Sequence, residues 1–156
     1  MFAIWVTVAF VAFIAIHTAM DVQRHHETRT HVQSTNAAAS FMSYRRAIQS
    51  SLRANPIASG RVPDQQHQLI GHLPMGASVG AQWDNFVQSG QLFVFSRSVP
   101  SPALVNELRR DSRNSRTIGI ARDVSGQRRL FSFEGDDTGV LLPSSIPVGS
   151  LVMLGN

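Results

Sequence analysis

The sequence predicts an α+β protein in which an N-terminal transmembrane helix continues into a helical stalk, followed by a small mixed or antiparallel sheet with one or two packed helices. Residues 2–20 are uncharged and mostly apolar, and residues 21–55 are polar with one apolar stripe at helical spacing. Residues 91–156 contain several short runs rich in β-formers around one helical pattern. Helix, strand, helix and then three strands is an order typical of α+β domains.

Residues 1–20 form the predicted membrane anchor. A helix rises about 1.5 Å per residue, so the uncharged run is just long enough to cross a hydrocarbon core of roughly 30 Å. A cleaved secretory signal is disfavoured because no basic residue precedes the run. Cleavage after Ala19 is disfavoured as well, because His17 occupies a position that should hold a small residue.

Residues 21–55 form the predicted helical stalk, which Pro56 ends because a residue before proline is pushed out of the α region. The stalk carries an apolar stripe whose members are three or four residues apart, so they share one helix face. Two interpretations remain open: the stripe packs on the chain's own sheet, which is the default, or it is an interface for a partner. The candidate interface residues are Phe41, Tyr44, Ile48 and Leu52.

Residues 56–90 are predicted to be a loop region, because glycine and proline interrupt any regular pattern from Pro56 to Gly80. Residues 91–156 are the predicted α+β core. Its first strand is expected at 91–97, and a helix is expected within 98–114, with Ser101 as N-cap and Pro102 in the first turn.

The end of the chain predicts three further strands. Residues 117–122 and 128–133 alternate apolar and other side chains, and Ser125 and Gly126 lie between them, which is typical of a β-hairpin. Residues 150–154 are apolar and follow a turn rich in proline and glycine, so they are expected to form a closing strand.

The composition limits the chemistry. The chain has no cysteine, which excludes thiol catalysis, cysteine-ligated zinc and disulfides. All 14 basic residues are arginine, against 10 acids, and this modest excess permits nucleic-acid binding without indicating it. A cluster of arginines could bind phosphates, but nearby acidic residues balance its charge, so we interpret it as a solvent-exposed surface. The arginines are Arg109, Arg110, Arg113, Arg116, Arg128 and Arg129.

Two patterns suggest catalytic or metal chemistry, and neither is convincing. Residues 76–80 match the G-x-S-x-G motif around Ser78, but the last histidine, His72, precedes the serine, and in serine hydrolases with this motif the base follows it. His25, His26 and His31 lie near Glu27, but only Glu27 and His31 have spacing for one helix face, which is too few ligands for a closed site. We therefore expect no enzyme activity, metal or cofactor.

Three segments together resemble the small PilM family, which is encoded in the thin-pilus (type IVb) operons of conjugative plasmids. They are the start MFAIWVTVAFVAFIAI, the stretch FMSYRRAIQSSLRANP and the ending LLPSSIPVGSLVMLGN. The resemblance implies an inner-membrane component of the pilus assembly apparatus and brings no functional residues with it. A larger actin-like ATPase of the same name is a different protein, because this chain is too short and lacks its phosphate loops.

The predicted function is that of a non-enzymatic, single-pass inner-membrane scaffold or assembly factor of type IVb pilus biogenesis and conjugation. Its expected partners are other pilus assembly proteins in the inner membrane, with a homo-oligomer as a further option and nucleic acid disfavoured. The alternative is a minor pilin-like subunit that enters the fibre. Against it, Val6 stands where pilins carry a glutamate, and no basic leader precedes Phe2.

The orientation of the soluble domain depends on two opposed arguments. Arg24 and Arg29 follow the apolar run and no arginine precedes it, which taken alone favours a cytoplasmic domain. Two arginines are a weak bias, and the resemblance to bitopic pilus proteins implies a periplasmic domain. We therefore predict that the domain is periplasmic.

Overall fold

The structure, a computed structural model, describes residues 32–63, 82–113 and 115–155. The predicted anchor at 1–20, the first residues of the stalk and most of the predicted loop region lie outside these ranges. Within the described ranges, no helix combines the length and apolar character needed to cross a membrane.

Two helices and six strands make up the described fold. Helix α1 covers residues 32–54 and helix α2 covers Pro102–Asp111. The strands are β1 (Trp83–Gln88), β2 (Gln91–Ser96), β3 (Ile118–Val124), β4 (Gln127–Phe131), β5 (Asp137–Leu141) and β6 (Leu151–Gly155). All pairs are antiparallel, in the order β1-β2-β6-β3-β4-β5, so the α+β class is confirmed and the sheet is antiparallel.

Local chemistry explains the end of α1 and the start of α2. Helix α1 ends at residue 54, two residues before Pro56, as predicted. Helix α2 begins at Pro102, and the Ser101 hydroxyl accepts a hydrogen bond from the Leu104 N–H at 3.3 Å, which confirms the predicted cap. Arg109 and Arg110 in its last turn suit the negative end of the helix dipole.

Two hairpins share the same turn chemistry. The β1–β2 hairpin turns at Ser89 and Gly90, and the β3–β4 hairpin turns at Ser125 and Gly126. All four residues have positive φ, between 51° and 78°. Two consecutive positive φ values define the type I′ turn, whose twist matches that of the flanking strands. The turn at Ser125 and Gly126 was predicted, whereas the turn at Ser89 and Gly90 was not.

The sheet carries a hydrophobic core on each face. On one face, both helices pack over β1, β2, β6 and the start of β3, with Phe41, Tyr44, Leu108 and Ile118 fully buried. On the other face, the buried cluster is Phe93, Phe95, Ala121, Leu130, Leu142, Ile146 and Val152. Strand β6 contributes to both faces because it lies in the middle of the sheet, with Leu151 and Met153 on the helix side and Val152 opposite.

Two strands were not predicted. Strand β1 lies inside residues 56–90, which were predicted to be a loop, so this prediction was wrong for β1. The polar residues Asp84 and Asn85 interrupt the apolar alternation between Trp83 and Val87, so the strand pattern is not recognisable in the sequence. Strand β5 was missed because Gly139, with a φ of 79°, and a register irregularity opposite β4 interrupt its pattern. Helix α1 and β1 share one core with 91–156, so the predicted boundaries at 55 and 90 do not separate structural units.

Candidate interaction surface

The residues predicted as a partner interface lie in the chain's own core. Phe41, Tyr44 and Ile48 are fully buried, and Leu52 is partly buried against the same cluster. Of the two interpretations left open by the sequence, packing on the chain's own sheet is the one observed. The structure thus supports packing of this stripe on the chain's own sheet, and a partner interface at these residues stays a prediction.

A buried polar network joins α1 to β1. The Asn85 amide nitrogen donates to the Tyr44 hydroxyl at 2.8 Å and to the Val62 carbonyl at 3.1 Å, and the Asn85 carbonyl oxygen accepts from the Val62 N–H at 2.8 Å. Asn85 is 1% exposed, so each of these bonds satisfies a group that water does not reach. Beside it, the Trp83 indole N–H donates to the Ser40 hydroxyl at 3.1 Å.

The same network closes the outer edge of β1. Gly60 and Val87 exchange two backbone hydrogen bonds, at 2.9 and 2.7 Å, in an isolated antiparallel bridge. Next to this bridge, Asn85 holds both backbone groups of Val62 through its side chain. The Asp84 carboxylate contacts Arg61 at 2.6 Å and Arg97 at 3.3 Å. Residues 60–62 therefore occupy the place where a strand from another protein would pair with β1.

The opposite edge of the sheet, at β5, is partly closed by its own side chains. The Asp137 carboxylate accepts from the Gly139 N–H at 2.8 Å, and the Thr138 hydroxyl accepts from the Val140 N–H at 3.4 Å. These N–H groups are therefore engaged locally, and Gly139 bends the strand through its positive φ. The engaged Gly139 N–H and this bend hinder strand addition at the β5 edge, so a partner of the sheet is expected to contact side chains.

Among the described residues, no helix lies over one part of the helix-side face. A helix is about 10 Å wide and strands lie about 4.8 Å apart, so two helices side by side cover about four strands. Among the described residues, β4 and β5 contribute nothing to the core beneath α1 and α2. The uncovered area comprises the ends of β3 and β4 together with β5.

The strand register identifies the side chains on this uncovered area, which we call the open face. Arg122 lies opposite Arg129, and Arg129 lies opposite Leu141, so these three side chains share a face. Phe131 and Val124 belong to the same face because each lies two residues from one of these arginines. Val124 is 39% exposed and Leu141 is 58% exposed. The open face is therefore an apolar surface with two guanidinium groups: Arg122, Val124, Arg129, Phe131 and Leu141.

Each arginine of the open face is held in place differently. The Arg122 guanidinium lies over the Phe131 ring, 4.9 Å from its centroid, in a cation–π contact. Arg129 donates to the Asp137 carboxylate at 2.8 Å and to the Gln127 side-chain carbonyl at 3.0 Å. The Gly139 N–H and then Arg129 lower the pKa of the Asp137 carboxyl. Arg129 is thus neutralised within the face, whereas no carboxylate of the described residues contacts Arg122.

The six arginines singled out in the sequence do not converge on one site. Arg128 and Arg129 are consecutive in β4, so they point to opposite faces, and Arg128 donates to the Ile146 carbonyl. On α2, Arg110 pairs with the buried Glu107, and Arg109 contacts Glu134 at 3.8 Å. Arg113 and Arg116 are exposed near the end of that helix.

The other candidate residues lie outside the described ranges. They are His25, His26, His31, Glu27, His72 and Ser78, so the structure does not place them. Within residues 32–63, 82–113 and 115–155, no group of three histidine or acidic side chains is arranged to hold a metal ion.

The open face was not identified from the sequence, although one signal for it exists. In β3 the helix-side positions are Ile118, Ile120, Arg122 and Val124, so the buried pattern changes to an arginine at Arg122. This change marks the end of the covered part of the strand. Recognising the site also requires the number of strands, and β1 and β5 were the two strands that the sequence did not predict.

Comparison with known proteins identifies the family. A sequence model of the PilM family matches residues 6–154, which is nearly the whole chain. The chain belongs to the PilM family. This confirms the resemblance found in the sequence.

A solved structure supports the assignment. This PilM-family chain is similar to the crystal structure of a protein designated PilM from Escherichia coli B7A, with a TM-score of 0.55 and 26% sequence identity. The match covers 80% of this chain and 92% of that chain, so the similarity extends over most of both proteins. No functionally curated protein matches the chain.

Proposed function

We propose that this PilM-family protein is a non-enzymatic, single-pass inner-membrane component of type IVb pilus biogenesis that acts as a scaffold or assembly factor. The observation that carries the proposal is the family match over residues 6–154, which includes most of the apolar N-terminal run as well as the folded domain. In this proposal, residues 1–20 anchor the protein and the domain formed by α1, α2 and the sheet lies in the periplasm.

The exposed side chains of the sheet support a role in protein binding. Residues 60–62 cover the β1 edge and the Gly139 N–H is engaged at the β5 edge, so strand addition is not the expected mode of binding. The open face nevertheless leaves Val124 and Leu141 exposed beside arginine and phenylalanine, a combination that is enriched at protein interfaces. In the proposed machine, this domain binds other pilus assembly proteins.

A clean deletion tests the function. In a strain that carries the complete pilus gene set, removal of this gene should abolish thin pili in electron micrographs and strongly reduce mating in liquid. A plasmid copy of the intact gene should restore both. Normal piliation and normal mating in the deletion strain would contradict the proposal.

Fusions and fractionation test the location. Alkaline phosphatase fused after Asn156 should be active, and green fluorescent protein at the same point should stay dark, because the first folds in the periplasm and the second does not. The protein should remain with membranes after carbonate extraction. The opposite pair of fusion results would place the domain in the cytoplasm.

The same strain separates the proposal from its alternative, a minor pilin-like subunit. Pili sheared from cells and purified should lack the protein, while the cell membranes retain it. Stoichiometric recovery of the protein in the fibre would favour the alternative.

A further inference from the structure

We propose that the open face binds a segment of a partner protein in which a carboxylate is flanked by apolar side chains. The inference rests on the proposed function in one respect: it assumes that the partner is another pilus assembly protein. The face itself is defined by strand register, exposure and charge.

The most exposed apolar side chains of the face are aliphatic and lie on strands. Val124 and Leu141 are exposed by 39% and 58% on the same side of the sheet, at the ends of β3 and β5. Phe131 lies on β4, two residues beyond Arg129, and is partly buried. A partner's apolar side chains would remove these groups from water, and that burial is the main source of affinity.

The positive charge on the face favours a partner segment with negative charge. The face has two guanidinium groups, and the adjacent Asp137 carboxylate, opposite Phe131, is already bonded to Arg129. Arg122 is left with a positive charge that no described carboxylate neutralises. Its position over the Phe131 ring orders the guanidinium before a partner arrives, which reduces the entropy lost on binding. A partner carboxylate would pair with Arg122 in a bidentate contact.

Other occupants fit the face less well. Strand addition is hindered at β5, because Asp137 engages the Gly139 N–H and the positive φ of Gly139 bends the strand. A symmetric contact with a second copy would bring the same positive face against itself. Stacked nucleobases need open aromatic rings, but Arg122 covers one side of the Phe131 ring and the remaining apolar groups are aliphatic.

Photo-crosslinking in living cells tests the inference. The full-length protein with p-benzoylphenylalanine in place of Leu141, or in place of Val124, is produced in the deletion strain with all other pilus genes present. We expect an adduct with another pilus assembly protein, identified by mass spectrometry, whose crosslinked peptide contains Asp or Glu. The matched control places the crosslinker at Ser50, which is exposed on α1. That position should not give this adduct.

Charge reversal then tests the role of Arg122. Arg122→Glu should reduce the adduct about tenfold or more, because it replaces attraction by repulsion at a partly desolvated contact. Arg53→Glu is the matched control: it makes the same change in net charge at an exposed position of α1 and should leave the adduct unchanged. Replacing the partner's acidic residue by arginine should restore the adduct in the Arg122→Glu protein. Equal melting temperatures of the variants would show that the fold is intact.

Several outcomes would overturn the inference. They are no protein adduct at either position, adducts only with a second copy of the chain, equal adducts from Ser50, or an Arg122→Glu protein that crosslinks normally.

The deletion and crosslinking experiments together distinguish failure of this inference from failure of the proposed function. If the deletion abolishes pili but Arg122→Glu leaves both pili and adducts unchanged, the function stands and the surface assignment is wrong. If the deletion has no effect while an adduct with a protein outside the pilus genes obeys the charge reversal, the surface stands and the function is wrong.

Discussion

The Asn85 side-chain amide donates to the Tyr44 hydroxyl at 2.8 Å, inside the core that joins β1 to α1. The same amide group satisfies both backbone groups of Val62, so one side chain connects three parts of the chain. Asn85 thus performs the role of a neighbouring strand on the outer side of β1.

Replacing Asn85 should be far more damaging than replacing its partner. Asn85→Ala removes one hydrogen bond to the Tyr44 hydroxyl and both side-chain hydrogen bonds to the buried Val62 backbone, and we expect a loss of about 3 kcal/mol or more in the free energy of unfolding. Tyr44→Phe removes the hydrogen bond from Asn85 but keeps both contacts of Asn85 with Val62, and it should cost about 1 kcal/mol. Urea unfolding of the purified full-length protein measures both. Equal effects of the two substitutions would show that the contacts with Val62 contribute nothing.

Ile48 provides a test of how the stalk helix packs. Its side chain is fully buried between α1 and the sheet, so Ile48→Ala should lower the free energy of unfolding by about 2–5 kcal/mol. Ser50→Ala, two residues away on the exposed side of α1, should change it by less than about 0.5 kcal/mol. An Ile48→Ala protein with unchanged stability would indicate that this face meets a partner after all.

Local chemistry made part of the fold predictable. Ser101 and Pro102 predict the start of α2, and Ser125 and Gly126 predict a hairpin, because the residues that determine these features are adjacent in the chain. The same holds for the end of α1 before Pro56.

Long-range contacts made the rest unpredictable. Asparagine is typical of turns. Asn85 lies in a strand because its side chain bonds the backbone of Val62, 23 positions earlier in the chain. Strand β5 depends on the hydrogen bonds of Asp137 and Thr138 to their own neighbours. The open face depends on which strands the helices leave uncovered, so it emerges only when the strand order is known.

Gly119 is expected to be sensitive to substitution because of a close backbone contact. A β-carbon at this position would lie 1.9 Å from the Phe131 carbonyl oxygen, so Gly119→Ala requires β3 and β4 to move apart. We expect a loss of about 3 kcal/mol. Gly126→Ala is the control, because nothing lies within 4 Å of its new methyl group and only its positive φ of 78° opposes the change. It should cost about 1–2 kcal/mol, and a larger loss at Gly126 than at Gly119 would refute the steric explanation.

Asp137 should give the open face a measurable acid dependence. The Gly139 N–H and Arg129 lower the pKa of its carboxyl below the ordinary value of 3.8. A carboxyl with a lower pKa in the folded state stabilises the fold above its unfolded-state pKa, and this contribution disappears as the pH falls through the folded-state pKa. Asp137→Asn should therefore weaken the protein at neutral pH and flatten the loss of stability below the ordinary pKa, as measured by melting temperature against pH.

The two causes of the Asp137 shift can be separated with Arg129→Gln. The hydrogen bond from the Gly139 N–H is the larger cause and remains in this variant, so the Asp137 pKa should rise only part of the way toward 3.8. Carboxyl-detected NMR titration of the full-length protein follows the group directly. Complete return of the pKa to its ordinary value would mean that Arg129 alone holds the carboxylate. The edge N–H of Gly139 would then be free to pair with another strand, and the β5 edge would not be closed as inferred from the geometry.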